Sequence, residues 1–476
     1  MTETTTSSHT APSLRRILGF SCYQGFIYAV FYIGANQAFY IAGFTVERAD
    51  LLATLFGMVT AFSIMALFPR LADGILKSDA ALAFSAAMLT AGAFMPRLSG
   101  ALDIVGIALE ALLVGIPMAI MLVAWGRVLG LSAPRIAACE IFASTGIAAA
   151  VCFIASFFSE SAFGVLAAAL PATSAGILLI TGVGSAAAQK TPARSCDRRP
   201  LRETSHTAAL SRRMLVGAAM FGLAAGLMET FRSTPGASST PRLAATLLIL
   251  SLFCVAALQS LRTRDAQNNA FANTYRIAVL VMMAGFLFAP ALYEYGVSGE
   301  AIVLAGCLGL TSAFVALFIA VSVLRGIDSA IAFCRGFGAL YLGEAIGIIA
   351  GNVFDAFGAS AQVQHGMLAF AGLAALIAYL FLFTENDFRA LSAIVDATST
   401  IDAMHDAVIK QAGLSQRESE VLALALRGRT NERIAQELVV AKSTVDTHLR
   451  RIYAKADVHS RQELIDYAER LLQQRL

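Results

Sequence analysis

Twelve stretches of apolar sequence, each long enough to cross a bilayer, follow one another through the first four-fifths of the chain. They run 17–43, 50–69, 80–96, 102–126, 135–158, 162–184, 213–231, 243–261, 275–293, 299–324, 328–350 and 365–384. A helix needs about 20 mostly apolar residues to span the hydrocarbon core, where each backbone polar group must be satisfied within the segment. One such stretch could be a buried helix of a soluble protein. Twelve in succession predict an all-α, twelve-helix polytopic membrane bundle. Charged residues make up 14% of the chain, against about 25% in soluble domains. The shortage is local: residues 385–476, under a fifth of the length, hold 13 of the 35 Lys+Arg and 14 of the 32 Asp+Glu. The chain therefore divides into a long apolar part and a short charged one.

The opening "MTETTTSSHTAPS" lacks the basic flank and short apolar core of a cleaved signal. Residues 1–13 are expected to be a disordered cytoplasmic tail, with 14–384 forming the membrane domain. Basic residues accumulate on the cytoplasmic side of a membrane. With the N-terminus inside, the inner segments carry seventeen Lys/Arg and the outer loops four. Twelve spans then return the C-terminus to the cytoplasm, with the cytoplasmic (inner) membrane as the expected location.

The longest inner loop, 185–213, is polar and basic, and it divides the spans into six plus six. This layout resembles that of the major facilitator transporters, two six-helix halves joined by a cytoplasmic loop. The loop after the second span, "PRLADGILKSD" (69–79), places Arg70, Asp73 and Lys77 like that family's Gly/Asp/basic motif. Pro69 stands for its opening Gly, and its terminal basic pair is absent. The resemblance implies an architecture and not a transport activity.

Ionisable groups at membrane depth are expensive and mark functional positions. Glu110, Arg335 and Glu344, with Asn36 and Gln37 and the aromatic pair Tyr28 and Tyr32, form the candidate ligand site of the membrane domain. Arg335 and Glu344 lie nine residues apart, on opposite sides of one helix. Each must find a partner on another helix or in a water-filled cavity. Inter-helix hydrogen bonding and packing are the competing account of all seven. Arg127 and Glu140 read as inner-interface residues. "GALYLGEAIGIIAG" (338–351) suits close helix packing.

Seven cysteines show no ligand spacing, six histidines no HxxxH, and no phosphate loop or Ser/His/Asp set is visible. Neither an enzyme nor a metal or organic cofactor is expected.

Residues 412–476 read as four short helices. Ser415 and Glu418 form a capping box at the head of "RESEVLALALR", and Gly428 ends that helix. Thr430 caps "NERIAQELVV". A third helix over 442–456 buries Val445, Leu449, Ile452 and Ala456 and turns Asp446, Thr447, Arg450 and Arg451 outward.

The stretch "LSQRESEVLALALRGRTNERIAQELVVAKSTVDTHLRRIYAKADVHSRQEL" resembles the helix-turn-helix of the LuxR/FixJ (NarL-type) regulators over about 50 residues without a gap. The resemblance rests on Arg417-Glu418, Glu420-Val421-Leu422, Gly428, Asn431, Ile434-Ala435, Leu438, Thr444-Val445, Thr447-His448, Lys455, Val458 and Ser460-Arg461. It implies that double-stranded DNA is the partner, with the 442–456 helix in the major groove. Asp446, Thr447 and Arg450 are expected to read bases. Lys442, Thr444, His448, Arg451, Lys455, Ser460 and Arg461 are expected to hold phosphates or sugars. It also implies a homodimer through the last helix, and RNA polymerase as a further partner. This sequence departs at Gln416, where Pro is usual, at Ala441, where a Ser/Thr cap is usual, at Asp446, often basic, and at Ala456, often larger. Residues 412–476 hold eleven Lys+Arg against nine Asp+Glu, so one copy should bind modestly and in a salt-sensitive way.

Residues 385–411 repeat apolar positions at helical spacing, at Phe388, Leu391 and Val395 and again at Ile401, Met404 and Val408. A helical linker is expected. The whole reads as a membrane-bound one-component regulator, in which an unknown small molecule bound in the bilayer-embedded part controls DNA binding by the tail. A secondary transporter with a regulatory tail is the alternative. A helix-turn-helix turned to binding protein is a third reading.

Overall fold

The computed structural model describes residues 12–32, 38–41, 44–93, 103–158, 160–181, 205–230, 240–262, 270–292, 299–325, 328–356, 361–382, 401 and 404–473. In the apolar part, α1 (Leu14–Tyr32) is followed by a hairpin of β1 (Ala38–Ile41) and β2 (Phe44–Glu47). Then come α2 (Ala49–Leu67), the short α3 (Pro69–Lys77) and α4 (Asp79–Ala93). Helix α5 runs through Asp103–Glu110, a π turn at Ala111–Gly115 and Ile116–Leu129; α6 (Pro134–Ala155) and α7 (Glu160–Ile180) complete the first half. The second half contains α8 (Ser205–Thr230), α9 (Thr240–Arg262), α10 (Ala270–Leu292), α11 (Gly299–Arg325), α12 (Ser329–Ala356) and α13 (Ala361–Ile377, with a π turn at Ala378–Leu382).

Leaving out α3, twelve long helices coincide with the twelve apolar stretches. Six of them are individually long and apolar enough to cross a membrane by length and composition. Large apolar side chains cover the outside, among them Leu67, Phe157, Ile180, Leu280 and Leu287, each at least two-thirds exposed. A soluble surface does not carry that many; a lipid-facing one does. Residues 185–204 of the expected central loop lie outside the described residues.

Two expectations are corrected. The first span was read as 17–43, but its helix ends at Tyr32, and β1 and β2 pair antiparallel with Ala38 opposite Glu47. Apolar composition alone does not separate a helix end from an apolar strand. The loop at 69–79 contains α3, which has Pro69 in its first turn and buries Ala72 and Leu76.

The two halves meet where α2 packs on α12 and α6 on α9. The closest pairing is α8 with α12 inside the second half. A Cβ added at Gly222 would lie 1.9 Å from the Leu340 carbonyl oxygen, one at Gly226 2.0 Å from that of Glu344, and one at Gly343 2.0 Å from that of Ala219. Only glycine permits this backbone approach.

The charged part has its own core. A helix at 404–412, α14, precedes α15 (Gln416–Leu426), α16 (Asn431–Leu438), α17 (Lys442–Ala456) and α18 (Arg461–Gln473). Val408, Val421, Leu422, Ile434, Val445, Leu449, Ile452, Leu464 and Ala468 form one buried cluster. The second half of the expected linker thus packs onto this core through Val408, and the His405 ring contacts the Ser419 carbonyl and hydroxyl at 3.0 and 3.1 Å. Residues 385–400 lie outside the described residues.

Candidate nucleic-acid interface and membrane cavity

Local signals build the C-terminal domain. The Ser415 hydroxyl accepts from the Glu418 amide, and the Glu418 carboxylate accepts from the Ser415 amide at 2.8 Å, starting α15. Thr430 caps α16, and three residues, 439–441, turn the chain into α17. That turn places Val439, 91% exposed, at φ 53°, a left-handed conformation that a β-branched residue adopts at a cost. Ala441 supplies no side-chain cap to α17.

With Val445, Leu449, Ile452 and Ala456 buried, α17 presents Thr444, Thr447, Arg450 and Arg451 to solvent. Four other charged residues of this region, Asp446, Lys442, Lys455 and Arg461, are engaged within the fold. Asn431 donates to the Asp446 carboxylate at 2.7 Å, fastening α16 to α17. Lys442 pairs with Glu432. Lys455 reaches Glu418 at 2.7 Å and the Gly413 carbonyl at 3.3 Å. Its hydrogen bond, with that from the Ser415 amide, holds the Glu418 carboxyl down to about 2. Arg461 donates to the Ala425 carbonyl at 2.6 Å, Ser460 bonds Glu463, and the buried His448 Nδ1 has no hydrogen-bond partner among the described residues.

In the membrane domain a cleft opens between the halves. Its walls come from α1 (Gln24, Tyr28), α2 (Thr54, Met58), α5 (Met118), α8 (Phe221, Glu229), α11 (Phe314) and α12 (Tyr341, Glu344). The glycine-mediated approach of α8 and α12 brings Glu229 and Glu344 to the same cleft. Arg48, between the hairpin and α2, meets Glu229 at 3.1 Å. Glu344 is 9% exposed, and among the described residues its carboxylate makes no hydrogen bond or ion pair.

The halves are also tied near both ends of α12. Arg127 bridges Asp73 and, at 2.7 Å, Asp328 just before α12. Near the other end, Asn352 accepts from the Glu47 amide at 2.7 Å and donates to the Glu47 carbonyl at 3.1 Å. Arg16 holds the fully buried Glu140 at 2.7 Å, joining α1 to α6.

Residues 412–468 match the model of the bacterial regulatory proteins of the luxR family. The HTH-type transcriptional regulator MalT of Yersinia pestis (strain Pestoides F) is 47% identical over 66 residues, 14% of this chain and 7% of that protein. MalT of Vibrio campbellii is 47% identical over the same length, with the same coverage. The C-terminal domain is a LuxR-type helix-turn-helix. This chain spans about 7% of the length of the curated relatives it matches. Over the membrane part the structure is similar to a bacterial homologue of the iron transporter ferroportin, at 12% identity and a TM-score of 0.48, covering 80% of this chain and 97% of that one. The E. coli fucose:proton symporter FucP gives 12% identity and a TM-score of 0.42, covering 80% and 96%.

Within the LuxR-type domain, the structure brings Thr444, Thr447, Arg450 and Arg451 onto one open face. It places Asp446, Lys442, Lys455, Ser460 and Arg461 in intramolecular bonds. Of the membrane candidates, Tyr28 and Glu344 line the cleft. Arg335 is exposed on the far side of α12, as its half-turn offset from Glu344 demands. Glu110 is half-buried and does not line the cleft. Tyr32 ends α1, with its side chain outside what is described, and Asn36 and Gln37 lie outside the described residues. Sequence reasoning misses Glu229 and Arg48. Glu229 stands near the end of the 213–231 stretch and Arg48 in an expected outer loop; their pairing is tertiary. The signal available was a lone acid within an apolar segment, at Glu229 in 213–231.

Proposed function

We propose that this chain is a membrane-bound one-component transcriptional regulator, in which occupancy of the membrane cleft controls promoter binding by the LuxR-type domain. The observation that carries the reading is the union in one polypeptide of a twelve-helix bundle with a charged internal cleft and a DNA-binding module with its own core. Arg450 and Thr447 on the open face of α17 are the base-reading candidates. Asp446 shapes that face through Asn431. Arg451, Thr444 and His448 hold the DNA backbone, Lys442, Ser460 and Arg461 serve as phosphate contacts where DNA displaces their internal bonds, and Lys455, expected from the sequence to hold phosphate, stays with Glu418 and holds the fold. Two copies meet through α18 on a two-fold site and engage RNA polymerase there. The seventeen-to-four distribution of Lys and Arg supports a cytoplasmic-membrane location with both termini inside. A ligand shifts output only by binding two conformations unequally. The contacts near the two ends of α12 are elements that such conformations would make and break.

Genome-wide crosslinking and recovery of DNA with the full-length protein tests this. Sharp, palindrome-containing peaks are expected, and their occupancy should change with the inducing compound. A flat profile from well-expressed protein would refute it. The carboxylates in a cleft between two halves also suit a secondary transporter with a regulatory tail, and concentrative solute uptake by vesicles would favour that reading.

A further inference from the structure

The cleft selects by charge. Glu229 is matched by Arg48, but Glu344 faces the same space without a hydrogen bond or ion pair among the described residues. A buried carboxylate left this way costs several kcal/mol unless a positive charge or a proton meets it. Thr54, 0% exposed, also lines the cleft, and its hydroxyl has no hydrogen-bond partner among the described residues. The remaining wall is mostly aliphatic, with four rings set into it: Tyr28, Phe221, Phe314 and Tyr341. Ring faces attract cations.

We propose that the cleft binds a monovalent organic cation, a protonated amine on an apolar body. The ammonium donates to Glu344 and to the Thr54 hydroxyl, and the body lies against Tyr28, Phe221 and Phe314. Two carboxylates against one arginine disfavour an anion, and the mostly aliphatic wall disfavours a polyhydroxylated neutral solute. The inference rests on the reading of the membrane domain as the part that receives the ligand.

The test uses the full-length protein in lipid nanodiscs with three probes of similar shape: phenethylamine, 2-phenylethanol and phenylacetate. Binding is followed by titration calorimetry, and promoter output is followed with the same probes in cells. The amine should bind at least about tenfold more tightly than the alcohol, a difference of about 1.4 kcal/mol, and phenylacetate should bind least. Glu344→Gln should abolish the amine's advantage while the alcohol still binds, which shows that the cleft is intact; Glu344→Asp should retain the advantage. Equal binding of amine and alcohol, an amine preference that survives Glu344→Gln, or no saturable binding of the amine would each overturn the cation site. An amine that binds through Glu344 without changing promoter output would instead overturn the sensor reading and leave the site standing.

Discussion

Lys455 distinguishes a residue that holds the fold from one that holds DNA. Its ammonium sits 2.7 Å from Glu418, whose side chain is 4% exposed, while the lysine side chain is 39% exposed. The same carboxylate completes the α15 capping box. These contacts lower Glu418 from 4.5 to about 2. At about 1.36 kcal/mol per unit, the full shift would correspond to roughly 3 kcal/mol. Water around the lysine end screens the pair, so about 1–2 kcal/mol is the realistic contribution. The folded-state value lies below the unfolded one. The stabilisation is therefore complete above pH about 4.5 and is lost as pH falls towards about 2.

A fragment of residues 401–476 includes α14 and the whole C-terminal core, and it suits urea denaturation. Lys455→Met should lower stability by about 1 kcal/mol at pH 7, and the difference from wild type should shrink steadily between pH 4.5 and pH 2.5. Glu418→Gln should lose more at neutral pH, because it also weakens the cap. Operator binding then separates the two roles. If Lys455 acts through the fold, Lys455→Met leaves the salt dependence of binding unchanged once the folded fraction is accounted for. A salt slope reduced by about one, with stability unchanged at pH 7, would refute the reasoning and make Lys455 a phosphate contact.

Further outcomes follow from the same geometry. Arg450→Ala should cost about 1–3 kcal/mol of operator binding and relax base preference, whereas Arg451→Ala should weaken all sequences alike, both measurable by fluorescence anisotropy across salt. Val439→Asn should stabilise the 401–476 fragment by about 1 kcal/mol in urea, because asparagine tolerates the left-handed backbone. Val408→Ala should destabilise the same fragment by about 1–3 kcal/mol; no change would show that α14 does not belong to the core. Gly343→Ala would drive a Cβ to 2.0 Å from the Ala219 carbonyl oxygen, and the full-length protein in detergent should melt several degrees lower or fail to run as a single species.

The sequence reveals those features whose physics is local. Each membrane helix is announced by its own apolar run, because a bilayer-spanning segment must satisfy its backbone alone. The start of α15 is announced by Ser415 and Glu418, three residues apart. The glycines of 338–351 could be read as close packing, though not as packing against α8 in particular. What stays hidden depends on a second segment. The hairpin at 38–47 continues an apolar run without a break in composition, so span one appears longer than its helix. Asp446 and Lys455 stand on α17 where an isolated helix would expose them; Asn431 and Glu418, fifteen and thirty-seven residues away, draw them back into the domain. The same limit governs the cleft. Glu344 is visible as an acid in an apolar segment, but its meaning depends on Glu229 and Arg48. Neither stands out at a span end until α8 and α12 close to backbone contact and turn two unremarkable charges into the neighbours of a third.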